Sequence, residues 1–156
     1  MTNIFSYGIG ILTLGYLFFN RKPVRIITPG YNLVSPADGT VIGIKNNTIE
    51  IFIGVLDNHY QLAPYDGRVT SIFEPTKEYS VIELSTPLGY TTIERFAGDI
   101  ARTITTSVKL NQYINKGDIL GRILLGSHTS ITIPPYLSIK VKPYQHILAG
   151  ETIIAE

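Results

Sequence analysis

Beyond residue 25 the apolar positions recur every second residue rather than every third or fourth. Thr40-Val41-Ile42-Gly43-Ile44, Thr48-Ile49-Glu50-Ile51-Phe52-Ile53, Arg68-Val69-Thr70-Ser71-Ile72-Phe73, Ser80-Val81-Ile82-Glu83-Leu84 and Thr129-Ser130-Ile131-Thr132-Ile133 are short and rich in β-branched residues. Several alternate polar with apolar, which sends successive side chains to opposite faces and marks half-buried strands. Turn formers separate them: Pro29-Gly30, Asp38-Gly39, Asn46-Asn47, Asp66-Gly67, Pro87-Leu88-Gly89, Lys116-Gly117-Asp118, Pro134-Pro135 and Ala149-Gly150. Strands punctuated in this way predict an all-β domain. Two pairs of stretches also echo one another. Val34-Ser35-Pro36-Ala37-Asp38-Gly39-Thr40-Val41 is like Ala63-Pro64-Tyr65-Asp66-Gly67-Arg68-Val69, and Ile114-Asn115-Lys116-Gly117-Asp118-Ile119-Leu120 is like Ile147-Leu148-Ala149-Gly150-Glu151-Thr152-Ile153. Turns of the second kind are common in barrel-sandwich domains, so the expected fold is mainly β and barrel-sandwich-like.

The head of the chain follows a different pattern. Residues 1–20 carry no charge, and Ile4 to Phe19 is nearly all apolar, about the length of one bilayer crossing. No basic residue precedes this run and no small-residue cleavage site follows it, which argues against a removable signal. One apolar N-terminal helix acting as an uncleaved anchor is the first expectation; an interfacial helix and a packed helix are the alternatives. Arg21, Lys22 and Arg25 follow at once, which places the rest of the chain on the cytosolic side. The organisation expected is therefore an anchor and basic junction over 1–25 and a β-rich domain over 26–156.

Composition narrows the chemistry. The 156 residues carry 13 Lys+Arg against 12 Asp+Glu, a formal charge of +1, so no overall field favours nucleic acid. Cysteine is absent, which removes thiol nucleophiles, disulfides and thiolate metal sites. The three histidines, His59, His128 and His146, form no His-x-His or His-x-x-x-His pair, so no metal site is expected. No lysine stands in the setting of a swinging-arm carrier. Two polar clusters interrupt apolar runs: Asp57-Asn58-His59 before the Asp66-Gly67 turn, and Gly126-Ser127-His128 after Ile123-Leu124-Leu125.

Taken in order, Phe18-Phe19-Asn20-Arg21-Lys22-Pro23-Val24-Arg25, Val34 to Val41, Asp57-Asn58-His59, Ala63 to Val69, Ala97-Gly98-Asp99-Ile100-Ala101-Arg102, and Lys116 to Ile123 leading into Gly126-Ser127 resemble the phosphatidylserine decarboxylase family, in its short form. The likeness spans nearly the whole chain. It implies a proenzyme that cuts itself between Gly126 and Ser127, giving a β chain of 1–126 and an α chain of 127–156, with Ser127 converted to a pyruvoyl cofactor. On that resemblance Ser127 attacks the Gly126 carbonyl, His59 is the base, and Asp38 orients or charges it. The pyruvoyl carbonyl then acts as the electron sink for decarboxylation of phosphatidylserine to phosphatidylethanolamine.

The expected partner is a phospholipid in the membrane, its phosphate met by arginines, of which Arg102 and Arg122 are the candidates together with His128; self-association into a homo-oligomer is compatible with this. Three departures stand out. Leu62 occupies the place of a second histidine found in long forms, His128 follows the serine where Thr or Arg is usual, and Glu74 to Tyr79 is shorter than the family's loop and lacks its Asn-Glu-Arg-like ending. The alternative is a catalytically inactive, membrane-tethered relative that binds lipid or protein.

Overall fold

The computed structural model describes residues 10, 13–15, 17–18, 21–98, 103–124 and 127–156. Among them are thirteen strands: β1 (Leu33–Val34), β2 (Gly39–Lys45), β3 (Thr48–Ile53), β4 (Tyr60–Leu62), β5 (Gly67–Phe73), β6 (Tyr79–Thr86), β7 (Gly89–Phe96), β8 (Ile104–Thr106), β9 (Tyr113–Ile114), β10 (Ile119–Ile123), β11 (Ser127–Thr132), β12 (His146–Ile147) and β13 (Ile153–Ala155). The strands expected from alternation are β2, β3, β5, β6 and β11. Asn46 and Asn47, both at positive φ, link Lys45 to Thr48 as a two-residue hairpin turn.

The strands form an eight-stranded sheet in the order β12-β2-β3-β11-β7-β6-β5-β9, a three-stranded sheet β4-β10-β8, and the pair β1-β13. All pairings are antiparallel. Ile49, Ile51 and Ile53 of β3, Ile82 and Leu84 of β6, Ile93 of β7 and Ile131 of β11 form the core with Leu33, Leu120, Ile123 and Ile154 from the smaller sheets. The mainly β expectation holds. The sheets are open, and a barrel-sandwich closure is not among what they show. Most of the expected N-terminal helix lies outside the described residues; those described between 10 and 18 are helical, and no helix among the described residues is long and apolar enough to cross a membrane.

The sequence echo is the trace of an internal two-fold. The large sheet's order reads the same from either end when β12 matches β9, β2 matches β5, β3 matches β6 and β11 matches β7. Its axis passes through the facing pair Ile93 and Ile131. Val34 N–H donates to the Pro64 carbonyl at 3.1 Å and Leu62 N–H to that of Pro36 at 2.9 Å, each the counterpart of the other. Val41 N–H meets the Gln145 carbonyl as Val69 N–H meets that of Gln112, both at 2.9 Å. Even the bulges agree, between Val41 and Gly43 and between Val69 and Ser71.

Candidate active site

One end of the large sheet gathers the residues singled out in the sequence. Ile53 ends β3 and faces Ser127, which opens β11. Asp38 precedes β2, the other neighbour of β3, and residues 54–58 connect β3 to His59 at the entrance of β4. Gly39 must be glycine: a Cβ there would lie 2.2 Å from the Phe52 carbonyl oxygen. That close approach presses Asp38 against the end of β3. Gly126 and Arg102 lie outside the described residues.

The internal two-fold separates what holds the fold from what is surplus to it. Asp38 and Asp66 are counterparts. Each accepts a backbone N–H from the matching turn, Ala149 to Asp38 Oδ1 at 2.8 Å and Lys116 to Asp66 Oδ1 at 2.7 Å. Asp38 Oδ2 does more. It accepts the Arg25 guanidinium and, at 3.4 Å, the N–H of Asn58, the residue before His59. Arg25, which the sequence places in the basic junction, thus pairs inward with Asp38 and also lies 3.6 Å from Glu151. Asn58 and Thr86 are also alike, capping the N–H two residues on, of Tyr60 and Leu88 respectively. In register, Ser127 facing Ile53 corresponds to Gly89 facing Thr86, where the other half closes in a tight turn.

His59 is 2% exposed, and its carbonyl accepts Ile123 N–H at 3.0 Å, tying it to the strand that leads toward the Gly126–Ser127 bond. Burial lowers the imidazole's pKa, with Asp57 opposing and Arg21 and Arg122 adding to the fall. A neutral imidazole at physiological pH is the form a general base requires. Ser127 is also 2% exposed, and its Oγ is buried with no hydrogen-bond partner. A hydroxyl so placed, next to Gly126 in the chain, suits a nucleophile aimed at the peptide bond before it.

Three cavities are lined by residues of the site or their neighbours. A cavity of about 490 Å³ beside Asp38 is lined by Arg21, Lys22, Arg25, Asp57 and His146, with His146 Nε2 2.9 Å from Asp57 Oδ1. A second, of about 410 Å³, has Lys22, Tyr60, Thr105 and Arg122 in its wall. A third, of about 200 Å³, lies against Ser127 itself, with Phe52, Phe96 and His128. His128 stacks on Phe96, ring centroids 4.4 Å apart and 5° from parallel.

Arg95 went unnoticed in the sequence. It is fully buried on β7, where its Nη2 meets Glu74, Ser80 and Thr106. Burial lowers its pKa to about 10, against the pull of Glu74. Its place in the Thr91-Ile93-Arg95 alternation is the signal that could have shown it facing inward.

Comparison with known proteins gives a consistent picture. The family model described as phosphatidylserine decarboxylase matches residues 73–155. The chain is 32% identical to the putative archaetidylserine decarboxylase proenzyme of Methanocaldococcus jannaschii, over 97% of this chain and 94% of that protein. It is 30% identical to the protein of the same name from Methanosarcina mazei, over 97% of this chain and 79% of that one. The phosphatidylserine decarboxylase proenzyme of Ehrlichia canis is 31% identical, over 96% of this chain and 80% of that protein.

Proposed function

The chain belongs to the phosphatidylserine decarboxylase family, and from that premise we propose that it is a pyruvoyl-dependent decarboxylase of a serine-headgroup phospholipid, matured by its own cleavage at the Gly126–Ser127 bond. The observation that carries this is the buried, unpartnered Ser127 Oγ at the start of β11, at the same sheet end as His59 and Asp38.

In self-cleavage the Ser127 oxygen bonds to the Gly126 carbonyl carbon and the peptide C–N bond breaks, leaving an ester and a free amine. His59 takes the hydroxyl proton and gives it to the departing amine, and later takes the Cα proton whose loss expels the Gly126 carboxylate; hydrolysis then releases ammonia. Asp38 holds the Asn58-His59 backbone in place while Arg25 balances its charge. The residues fit the pyruvoyl group that results, which supplies an electrophilic carbonyl and an electron sink for the departing carboxylate's electrons. His59 then returns a proton to the carbon that lost CO2.

Phosphatidylserine is the substrate we assign; the relatives' names span two lipid cores that share the serine headgroup. A membrane location follows from the substrate, which stays in the bilayer. Val24 and Leu56 are exposed apolar side chains lining the same cavity as exposed Lys22, a pairing suited to anionic headgroups.

The intact mass of the purified protein under denaturing conditions, wild type beside Ser127→Ala, tests the proposal. Wild type is expected as two fragments divided after Gly126, the smaller bearing a pyruvoyl terminus, and the variant as one 17.3 kDa chain. A wild-type chain that stays whole would overturn the enzyme and leave the tethered binding module.

A further inference from the structure

The two halves related by the internal two-fold differ sharply in one place. Leu33, Ala155 and Ile139 face one another across the strands of one half, all inside or packed on the apolar core. Their counterparts in the other half are Gln61, Gly121 and Thr106, also cross-strand partners. Ile133, 2% exposed, belongs to the same apolar cluster as the first row; its counterpart, against the second, is Arg95. A layer that the fold builds from hydrocarbon on one side is polar on the other.

That polarity exceeds what holds the layer together. Nη2 of Arg95 is taken up by Glu74, Ser80 and Thr106, but Nε and Nη1 are buried without an acceptor. Oε1 and Nε2 of fully buried Gln61 are likewise unpartnered. Nη1 lies under Gly121, where a Cβ would come within 2.7 Å of it, and Gly121 faces Gln61. Arg95 faces Thr129, two residues from Ser127 on the same face of β11. His59 precedes Gln61 by two. Buried polar groups are ordinarily satisfied, and a guanidinium with two idle donors costs free energy that an apolar twin would not.

We propose that Arg95, with Gln61, forms an oxyanion-binding site on the face of the sheet that carries Ser127. This rests on Ser127 being the self-cleaving residue. The anion arises at one of two moments with the same chemistry: on the Gly126 carbonyl as Ser127 attacks it, or as the carboxylate of the serine headgroup. The free N–H groups of Nη1, beside Gly121, suit either.

The twin half supplies the test, since it shows which residues fill the layer without polarity. Gln61→Leu, Thr106→Ile and Arg95→Ile together copy it, and this full-length variant is expected to melt no lower than wild type. If the anion forms in self-cleavage, the variant matures about 100-fold more slowly by intact mass, the scale of losing one such donor. If it is the substrate carboxylate, maturation proceeds and KM for the serine lipid rises at least tenfold while the pyruvoyl content is unchanged. Arg95→Ala, in which millimolar guanidinium restores whichever step was lost, guards against a folding defect. Wild-type maturation together with wild-type KM in the triple variant would overturn the proposal. A wild-type chain that never cuts would instead remove the premise.

Discussion

Asp38 and Asp66 sit in equivalent turns, each with one oxygen on a backbone N–H, and only Asp38 has a second oxygen directed at Arg25 and at the residue before His59. Asn at either site keeps an acceptor and loses the charge. Asp66→Asn is expected to cost about 1–2 kcal/mol, the margin of a charge-assisted hydrogen bond, and to leave maturation at the wild-type rate. Asp38→Asn is expected to lose similar stability and also to slow maturation at least tenfold. Urea midpoints and time-resolved mass spectra of both variants decide this.

The His59 ring gives a pH signature of known sign. Its pKa in the folded protein lies below 6.5, so the unfolded chain binds the proton first as pH falls. The stability that neutral His59 contributes is complete above about pH 6.5 and drains away as pH drops through that value, until the folded form is protonated too. Wild type is therefore expected to lose more stability than His59→Gln between neutral and acidic pH. Equal slopes in the two proteins would show that the ring is not held neutral.

At the scale of elements, what was legible depended on strand length. β2, β3, β5 and β6 span six to eight residues each and show their alternation plainly. β1, β4, β9, β12 and β13 have two or three residues, too few for a period to show. β7 alternates well, but Arg95 stands in an inward position where sequence reasoning expects hydrocarbon. Gly126-Ser127-His128 read as an interruption, whereas Ser127 and His128 already belong to β11, whose pairing to β3 and β7 no local pattern could reveal. His59, Asp38 and Ser127 were legible as chemistry through resemblance; Gln61 and Thr106 acquire meaning only when strands far apart in sequence meet.

Elements also fix where small residues are obligatory. Gly39 and Gly67 are counterparts, their added Cβ atoms 2.2 Å from the Phe52 and 2.6 Å from the Ser85 carbonyl oxygen. Alanine at either is expected to cost on the order of 3 kcal/mol through overpacking. Only Gly39→Ala, by displacing Asp38, should also delay maturation. Thermal melts alongside fragment yield would separate the two effects.

Seen whole, the molecule has two unlike ends. At one, β6 and β7 are joined through Pro87 and Leu88, with the Tyr136 hydroxyl on the Leu88 carbonyl at 2.6 Å. At the other, β3 and β11 are neighbours without a direct link, and the space between their ends holds the site, Leu56 and the basic junction. The chain has no tryptophan, so Leu56→Trp and Tyr90→Trp each give a single reporter at opposite ends. On vesicles containing anionic lipid, the emission of Trp at 56 is expected to shift to the blue and be quenched by brominated acyl chains, while Trp at 90 stays solvent-like. The same response at both positions would contradict a membrane-facing end.

The strands after residue 126 have a consequence for the finished protein. β11 lies between β3 and β7, β12 borders β2, and β13 borders β1, so each joins a strand from the first 126 residues. If the Gly126–Ser127 bond is cut as proposed, those ladders and the core and side-chain contacts around them hold the two pieces together without a covalent link, and unfolding becomes dissociation. Reassembly would then be a bimolecular encounter between a long fragment and a short one. The denaturation midpoint of the matured protein should rise with its concentration, and that of uncut Ser127→Ala should not. On the proposed maturation, the uncut chain folds as one molecule once, and the cut enzyme, if unfolded in dilute solution, has no equivalent road back.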